Sequence, residues 1–346
     1  MLGKNPVRVA AAGILGAVSI AAAMVATKTR PVDFIPVRVQ RWIRDSGLGR
    51  SIADFSVLLL AAPLALSQPC LILRFISSYR WRKSFKYGEN KKEKIEVFHL
   101  DNDYNDESTT NVIIFVHGGA WGSGHPWMYR LMVLGMAKCF NAKSAILVEY
   151  PVFPDSFIIQ QAEAICRACV YIQSNGKELG TWSEGIDPNS YYLVGHSSGA
   201  NLCALALLRA MRENIHLTDH FIGLNGVYDI GKHYEFEKGR RVHEISPMSA
   251  ASKGVAEWDN CSPTLCLRGL SGEMVMRWPS TLLYHGQADS TVPYVSSREF
   301  SDALKSKGAR LVVEDYPPDG DHPDCIFELT LYDPDDTTTG KPLNIM

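Results

Sequence analysis

Hydrophobic positions divide this chain into two textures. Up to about residue 87 they come in long blocks. Val9–Ala26 holds no charged residue, and at about 1.5 Å per residue a helix of that length just crosses a hydrocarbon core of ~30 Å. Phe55–Leu73, "FSVLLLAAPLALSQPCLIL", is a second block long enough to span, although Pro63 and the Gln68-Pro69 pair are expected to interrupt a regular helix. From about Lys94 the blocks shorten and alternate with helical patterns. "IEVFHL" (Ile95–Leu100) alternates like an outer strand. "NVIIFV" (Asn111–Val116) is continuously apolar, as a strand buried on both faces must be. Ser144–Tyr150, Tyr191–Val194, His220–Leu224, Ser280–His285 and Ala309–Tyr316 repeat that character.

Helical periodicity fills the gaps at Met128–Cys139, Ile158–Ser174, Asn201–Met211 and Val295–Lys307. Strands alternating with helices of ten or more residues predict an α/β fold. Its central sheet is mostly parallel, with helices on both faces. Ligands of such sheets bind beyond the carboxyl ends of the strands, so the residues after each strand are where chemistry is expected.

The N-terminal blocks read as a membrane-associated region over residues 1–87. Lys4 and Arg8 precede the first block, which fits a signal anchor and also a cleavable signal peptide. The second block reads as a kinked span, a re-entrant hairpin, a helix on the membrane surface, or a buried helix of a cap. Lys28, Arg30, Arg38, Arg41, Arg44 and Arg50 lie between the blocks and Arg74, Arg80, Arg82, Lys83 and Lys86 after them, so positive charge favours neither orientation. The expected division is a sheet domain over 88–333 and a flexible acidic tail over 334–346.

A chain of 346 residues that is 46% hydrophobic supports a sizeable core. Its formal charge of −2 argues against bulk electrostatic binding of nucleic acid. The eight cysteines form no regular framework and mostly sit in apolar segments, which reads as buried free thiols. No Cys/His cluster has structural zinc spacing, and no phosphate-binding glycine motif is present. Neither a metal nor an organic cofactor is expected.

Four strand ends carry candidate chemistry. After Asn111–Val116 comes His117-Gly118-Gly119-Ala120-Trp121, where paired glycines bring backbone N–H groups toward a ligand. After Tyr191–Val194 comes Gly195-His196-Ser197-Ser198-Gly199. This G-x-S-x-G pattern acquires meaning from the strand before it and the helix after it, which lift a serine onto a sharp turn. Asp289 follows Ser280–His285, and His322 lies in "PPDGDHPD" after Ala309–Tyr316. The order Ser197, Asp289, His322 is that of a nucleophile, its acid and its base in α/β-hydrolases. Asp229, Asp319, Asp321 and Asp324 are rival or supporting acids, and His285 is read as structural.

At these residues the chain resembles the hormone-sensitive-lipase-like branch of α/β-hydrolases, marked by His-Gly-Gly upstream of the serine turn. "VHGGAW" (Val116–Trp121) with "YLVGHSSGAN" (Tyr192–Asn201) is most similar to isoprenylcysteine methylesterases, and also similar to kynurenine formamidases. The resemblance implies an α/β-hydrolase fold and a membrane-associated serine carboxylic-ester hydrolase. It acts on a small-molecule or lipid-modified ester, the methyl ester of a prenylated cysteine foremost. An endomembrane such as the endoplasmic reticulum is the expected location.

The expected catalytic residues are Ser197, Asp289 and His322, with Gly118, Gly119, Ala120 and Ser198 as backbone donors to an oxyanion. Trp121, Trp127 and Tyr228 are candidate pocket walls, together with Met128, Phe153 and Met248. Two features depart from the methylesterase pattern: His-Ser-Ser at the turn where Gln-Ser-Ala is usual, and the segment before Ser280. An arylformamidase-type amidase and a general lipophilic carboxylesterase therefore stay open, as does a catalytically silent binding module.

Overall fold

In a computed structural model the described residues are 35–100, 111–181 and 191–332. The apolar Val9–Ala26 block and the 334–346 tail lie outside them. One eight-stranded sheet organises the rest: β1 (Arg82–Lys86), β2 (Lys94–His99), β3 (Asn111–Val116), β4 (Ala142–Glu149), β5 (Tyr191–His196), β6 (His220–Leu224), β7 (Ser280–Tyr284) and β8 (Val312–Asp315). Their spatial order is β1-β2-β4-β3-β5-β6-β7-β8. β2 pairs antiparallel with both β1 and β4, and every pair from β4 to β8 is parallel. The strands read from apolar runs are all present. β1, "RKSFK", is an addition, because its charged outer residues hide the alternation.

Helices cover both faces, as parallel strands require. The main ones are α1 (Val37–Asp45), α2 (Leu48–Ser67), α3 (Pro69–Trp81), α4 (Arg130–Cys139), α5 (Ile158–Ser174), α6 (Ser198–Arg212), α7 (Ile230–Gly239), α8 (Val295–Ser306) and α9 (Asp324–Leu331). α5 and α6 pack on one face over Val112, Ile114, Val116 and Leu193. α4 and α9 pack on the other over Ile113, Phe115, Leu147 and Val194. Alternate residues of β3 thus feed two separate cores, which is why its sequence is apolar throughout.

The N-terminal helices correct one expectation. No helix among the described residues is long and apolar enough to cross a membrane. The Phe55–Leu73 block is shared between α2 and α3, with the break at Gln68 (φ −131°, ψ 75°) and Pro69 opening α3. Proline is tolerated there because the first N–H groups of a helix have no partner in any case. Pro63 does not end α2, which runs on to Ser67.

These helices dock on the sheet domain. Arg41 makes a bidentate pair with Glu244, at 2.7 and 2.9 Å. Arg130, fully buried on α4, reaches Glu96 of β2 at 2.9 Å and lies 4.2 Å from the ring centre of Tyr79 on α3. Trp42, Leu66, Leu73, Ile76 and Trp81 stay exposed on the outer side.

Candidate active site

Four strand ends converge at the carboxyl edge of the sheet. At the end of β5 the chain enters α6 through Ser197, whose backbone is held at φ 54°, ψ −122°. A side chain rarely adopts a positive φ, and such strain persists only where neighbours enforce it. Here the Ser197 N–H donates to the Leu224 carbonyl at 2.8 Å. The flanking glycines are steric necessities. A Cβ on Gly195 would stand 2.5 Å from the Gly199 carbonyl, and one on Gly199 would run into the carbonyls of Val116 and His117. Ser197 is therefore raised above the sheet edge at the start of a helix, where N–H groups point outward.

The acid and the imidazole meet from β7 and β8. His322 Nδ1 lies 2.7 Å from Asp289 Oδ2. Asp289 is buried yet well supplied with donors. Its Oδ1 accepts the N–H groups of Thr291 and Val292, both at 2.8 Å, and its Oδ2 accepts Asn225 Nδ2 at 2.8 Å. Burial opposes its charge, but hydrogen bonds from His285 and His322 outweigh that and hold the carboxyl far below the usual carboxylate range.

His285 Nε2 is 2.9 Å from the Val292 carbonyl and 3.2 Å from Asp289, while its Nδ1 takes the Ser297 hydroxyl at 2.7 Å. It is fully buried and engaged at both nitrogens, in the structural position read for it.

The His322 loop is fixed to the Asp289 loop by a carboxylate bridge. Asp321 Oδ1 accepts the backbone N–H groups of His322 and of Ser290, both at 2.8 Å. Asp324 Oδ2 in turn accepts the Asp321 N–H at 2.7 Å. Asp229 is elsewhere employed, since its Oδ1 caps α7 by accepting the Lys232 N–H at 3.0 Å.

His196, beside Ser197, reaches this loop as well. Its ring centre is 4.8 Å from that of His322, and its Nε2 lies 3.4 Å from the His322 carbonyl. The Tyr129 hydroxyl is 3.2 Å from its Nδ1. Burial, and then the neighbouring His322, lower the His196 pKa to about 3, so it sits neutral beside the half-buried His322 imidazole.

The loop after β3 completes the site. Gly118 packs directly on Ser197, and the chain then passes through three consecutive residues of positive φ and a fourth at Gly124. Gly119, Ala120 and Trp121 have φ 130°, 50° and 62°, and Gly124 has φ 92°. The amides of Gly119 and Ala120, like that of Ser198, donate to no acceptor among the described residues. Those N–H groups, two just after the glycine that abuts Ser197 and one on the residue that follows the serine, form an arrangement suited to binding a developing oxyanion. The His117 ring lies below, stacked on Tyr150 with ring centres 4.3 Å apart, and burial lowers its pKa to about 4.

Two of the three expected pocket walls are corrected. Trp121 is 1% exposed, with its Nε1 donating to Asn201 Oδ1 at 3.2 Å. Tyr228 is fully buried and stacks on Phe300, with ring centres 4.2 Å apart. Both are packing residues, because an aromatic after a strand end is as well suited to support the loop from below as to line it. Met248 is likewise fully buried. Trp127 stays at the rim, partly exposed, against Phe75 of α3 with ring centres 6.3 Å apart.

Asn225 escaped the sequence reading. It is fully buried with φ 49°, its N–H donates to Tyr284 O at 2.8 Å, and it holds Asp289. The only signal for it was its place at the end of β6.

Fold and strand-end arrangement agree with what sequence families record. The chain belongs to the alpha/beta hydrolase fold family, whose model matches residues 113–317. It is similar to the isoprenylcysteine alpha-carbonyl methylesterase ICME of Arabidopsis thaliana, at 26% identity over 68% of this chain and 55% of that one. It is also similar to a probable carboxylic ester hydrolase, LipM, of Mycobacterium tuberculosis, at 23% identity over 78% of this chain and 63% of the relative. The chain thus spans less than two thirds of the length of these curated relatives. In three dimensions it resembles a thermostable esterase from Pseudomonas putida with a TM-score of 0.59 and 18% identity, covering 73% of this chain and 77% of that one.

Proposed function

We propose that the protein cleaves esters through an acyl-enzyme on Ser197, and that its substrate is a lipophilic methyl ester, that of a prenylated cysteine foremost. The Asp289–His322 contact beside the strained Ser197 turn carries this reading. With Nδ1 of His322 engaged by Asp289, Nε2 is the nitrogen left for Ser197. The serine oxygen attacks the ester carbonyl as His322 takes its proton. Amides of Gly119 or Ala120, with Ser198, receive the oxyanion, the Gly118 amide being engaged by the Tyr129 hydroxyl. His322 then returns the proton to the departing alcohol, and water repeats the sequence on the acyl group.

The substrate class rests on the methylesterase relatives and on access. The uncharged Val9–Ala26 block and the exposed Trp42, Leu73, Ile76 and Trp81 near Arg74, Arg80 and Arg82 suit a lipid surface. These features support an endomembrane location as part of the proposal. The His196-Ser197-Ser198 turn, which differs from the usual methylesterase sequence, favours a second reading as a general lipophilic carboxylesterase.

A panel of esters tests the proposal, with wild type and Ser197→Ala measured side by side. It includes a farnesylcysteine methyl ester, short-chain p-nitrophenyl esters and N-formylkynurenine. Turnover of the prenylcysteine ester at a kcat/KM above that of the others supports the first reading. Higher kcat/KM on simple acyl esters supports the second, and turnover of the formamide alone overturns both.

A further inference from the structure

The strained loop after β3 is held from two sides. Its inner half is tied to the sheet domain. Trp121 O accepts Gln161 Nε2 at 2.9 Å and the Phe153 N–H at 2.8 Å, and the Trp121 indole is fixed to Asn201. The outer half, Gly122 to His125, is tied to α2. Arg50 Nε donates to the Gly122 carbonyl at 3.1 Å, and its Nη2 donates to the Phe153 carbonyl at 2.6 Å. One turn further along the same helix face, Asp54 Oδ1 accepts the Gly124 N–H at 3.1 Å. Asp54 Oδ2 lies 3.3 Å from His125 Nε2.

Residues four apart share a helix face, so one turn of α2 supplies a cation for the loop's Gly122 carbonyl and an anion for its Gly124 amide. Within the loop, Gly122 N–H, Ser123 N–H and Ser123 Oγ all converge on Gly119 O, at 3.1, 3.0 and 2.9 Å. A displacement of Gly122–Gly124 therefore moves Gly119, whose amide is among the candidate oxyanion donors. Asp54 is suited to the task at neutral pH. Burial disfavours its charge, but the hydrogen bonds from His125 and the Gly124 amide, with the charges of His125 and Arg50, lower its pKa overall.

We propose that Arg50 and Asp54 are positioning residues that hold the oxyanion loop in register with Ser197, making α2 part of the catalytic assembly. The loop's role rests on the ester-hydrolase reading above; the hold that α2 exerts on it does not. A backbone donor aimed at an oxyanion contributes on the order of 10²–10³ in rate, so a loop left loose on its outer side forfeits part of that.

The test uses the full chain in Arg50→Ala, Arg50→Lys, Asp54→Ala and Asp54→Asn, with Arg41→Ala as a control that loosens α1 without touching the loop. Amide exchange is followed in the peptide covering 117–125, together with kcat, KM and thermal midpoint. We expect faster exchange and a kcat lower by about 10-fold in the two large deletions, with KM within about twofold. Asp54→Asn still offers an oxygen to the Gly124 N–H and retains most of kcat, and Arg50→Lys falls between. Arg41→Ala leaves loop exchange as in wild type. Unchanged exchange at 117–125, or unchanged kcat with a lowered thermal midpoint, overturns the proposal and leaves α2 a passive cover. Faster exchange in variants of a wild type that turns over no ester upholds the hold of α2 on the loop and overturns the ester-hydrolase reading instead.

Discussion

Gly118 lies so close to Ser197 that a Cβ added to it would stand 3.0 Å from the serine Cβ and 2.9 Å from the His196 carbonyl. The loop and the turn can approach only because one of them lacks a side chain there. Gly118→Ala must push the loop, and the amides after it, away from Ser197. We expect kcat to fall on the order of 10²-fold with KM little changed, the pattern of an interaction made in the transition state. Steady-state kinetics on a soluble ester read this directly.

Asp289 has its own test. Asp289→Asn keeps the shape of the side chain but removes the charge that faces both His285 and His322, and it places an amide where donors already converge. The expected loss in kcat is ~10³–10⁴-fold, as for a misoriented or wrong-tautomer imidazole. A loss under about tenfold assigns the orienting role elsewhere, with Asp321 the nearest alternative.

Acid should unfold the protein through its buried imidazoles. His117 and His196 are held neutral with pKa values lowered to about 4 and about 3, against about 6.5 when unfolded. Above pH 6.5 both states are neutral and neither group contributes. Below it the unfolded chain binds protons that the folded chain refuses, so stability falls with pH. The slope approaches roughly 1.4 kcal/mol per pH unit for each group, until its folded pKa is reached. Denaturant midpoints between pH 7 and 4.5 measure it, and His196→Asn is expected to flatten the slope.

The corrected aromatics separate packing from selectivity. Trp121→Ala and Tyr228→Ala each remove a fully buried ring and are expected to cost about 3–5 kcal/mol of stability. Trp127→Ala removes a rim residue and is expected to leave stability within about 1 kcal/mol while raising KM for long-chain esters. Chemical denaturation and KM across an acyl-chain series distinguish the two outcomes.

Much of this site was legible because buried parallel strands announce themselves as short apolar runs, and chemistry in such sheets sits just beyond them. Ser197, Asp289 and His322 were singled out by order and position; the structure joins Asp289 to His322 and sets His196, the neighbour of Ser197, against the His322 ring. β1 was not legible, because an edge strand exposes charge and its apolar alternation is reduced to little more than Phe85. Trp121 and Tyr228 were legible as strand-end aromatics, but periodicity does not tell which side of a loop a ring occupies. Arg50 and Asp54 were invisible as loop partners, since their contacts lie 70 residues or more away along the chain and only folding joins them.

The central claim is that Ser197 is a covalent nucleophile, and a fluorophosphonate probe tests it most directly. The intact protein is treated near neutral pH and the modified residue located by peptide mass spectrometry, with Ser197→Ala and His322→Ala in parallel. One adduct per chain, on Ser197, abolished in Ser197→Ala and strongly slowed in His322→Ala, is the predicted result. A folded wild-type protein that takes no label, or takes it equally well after Ser197→Ala, would contradict the account.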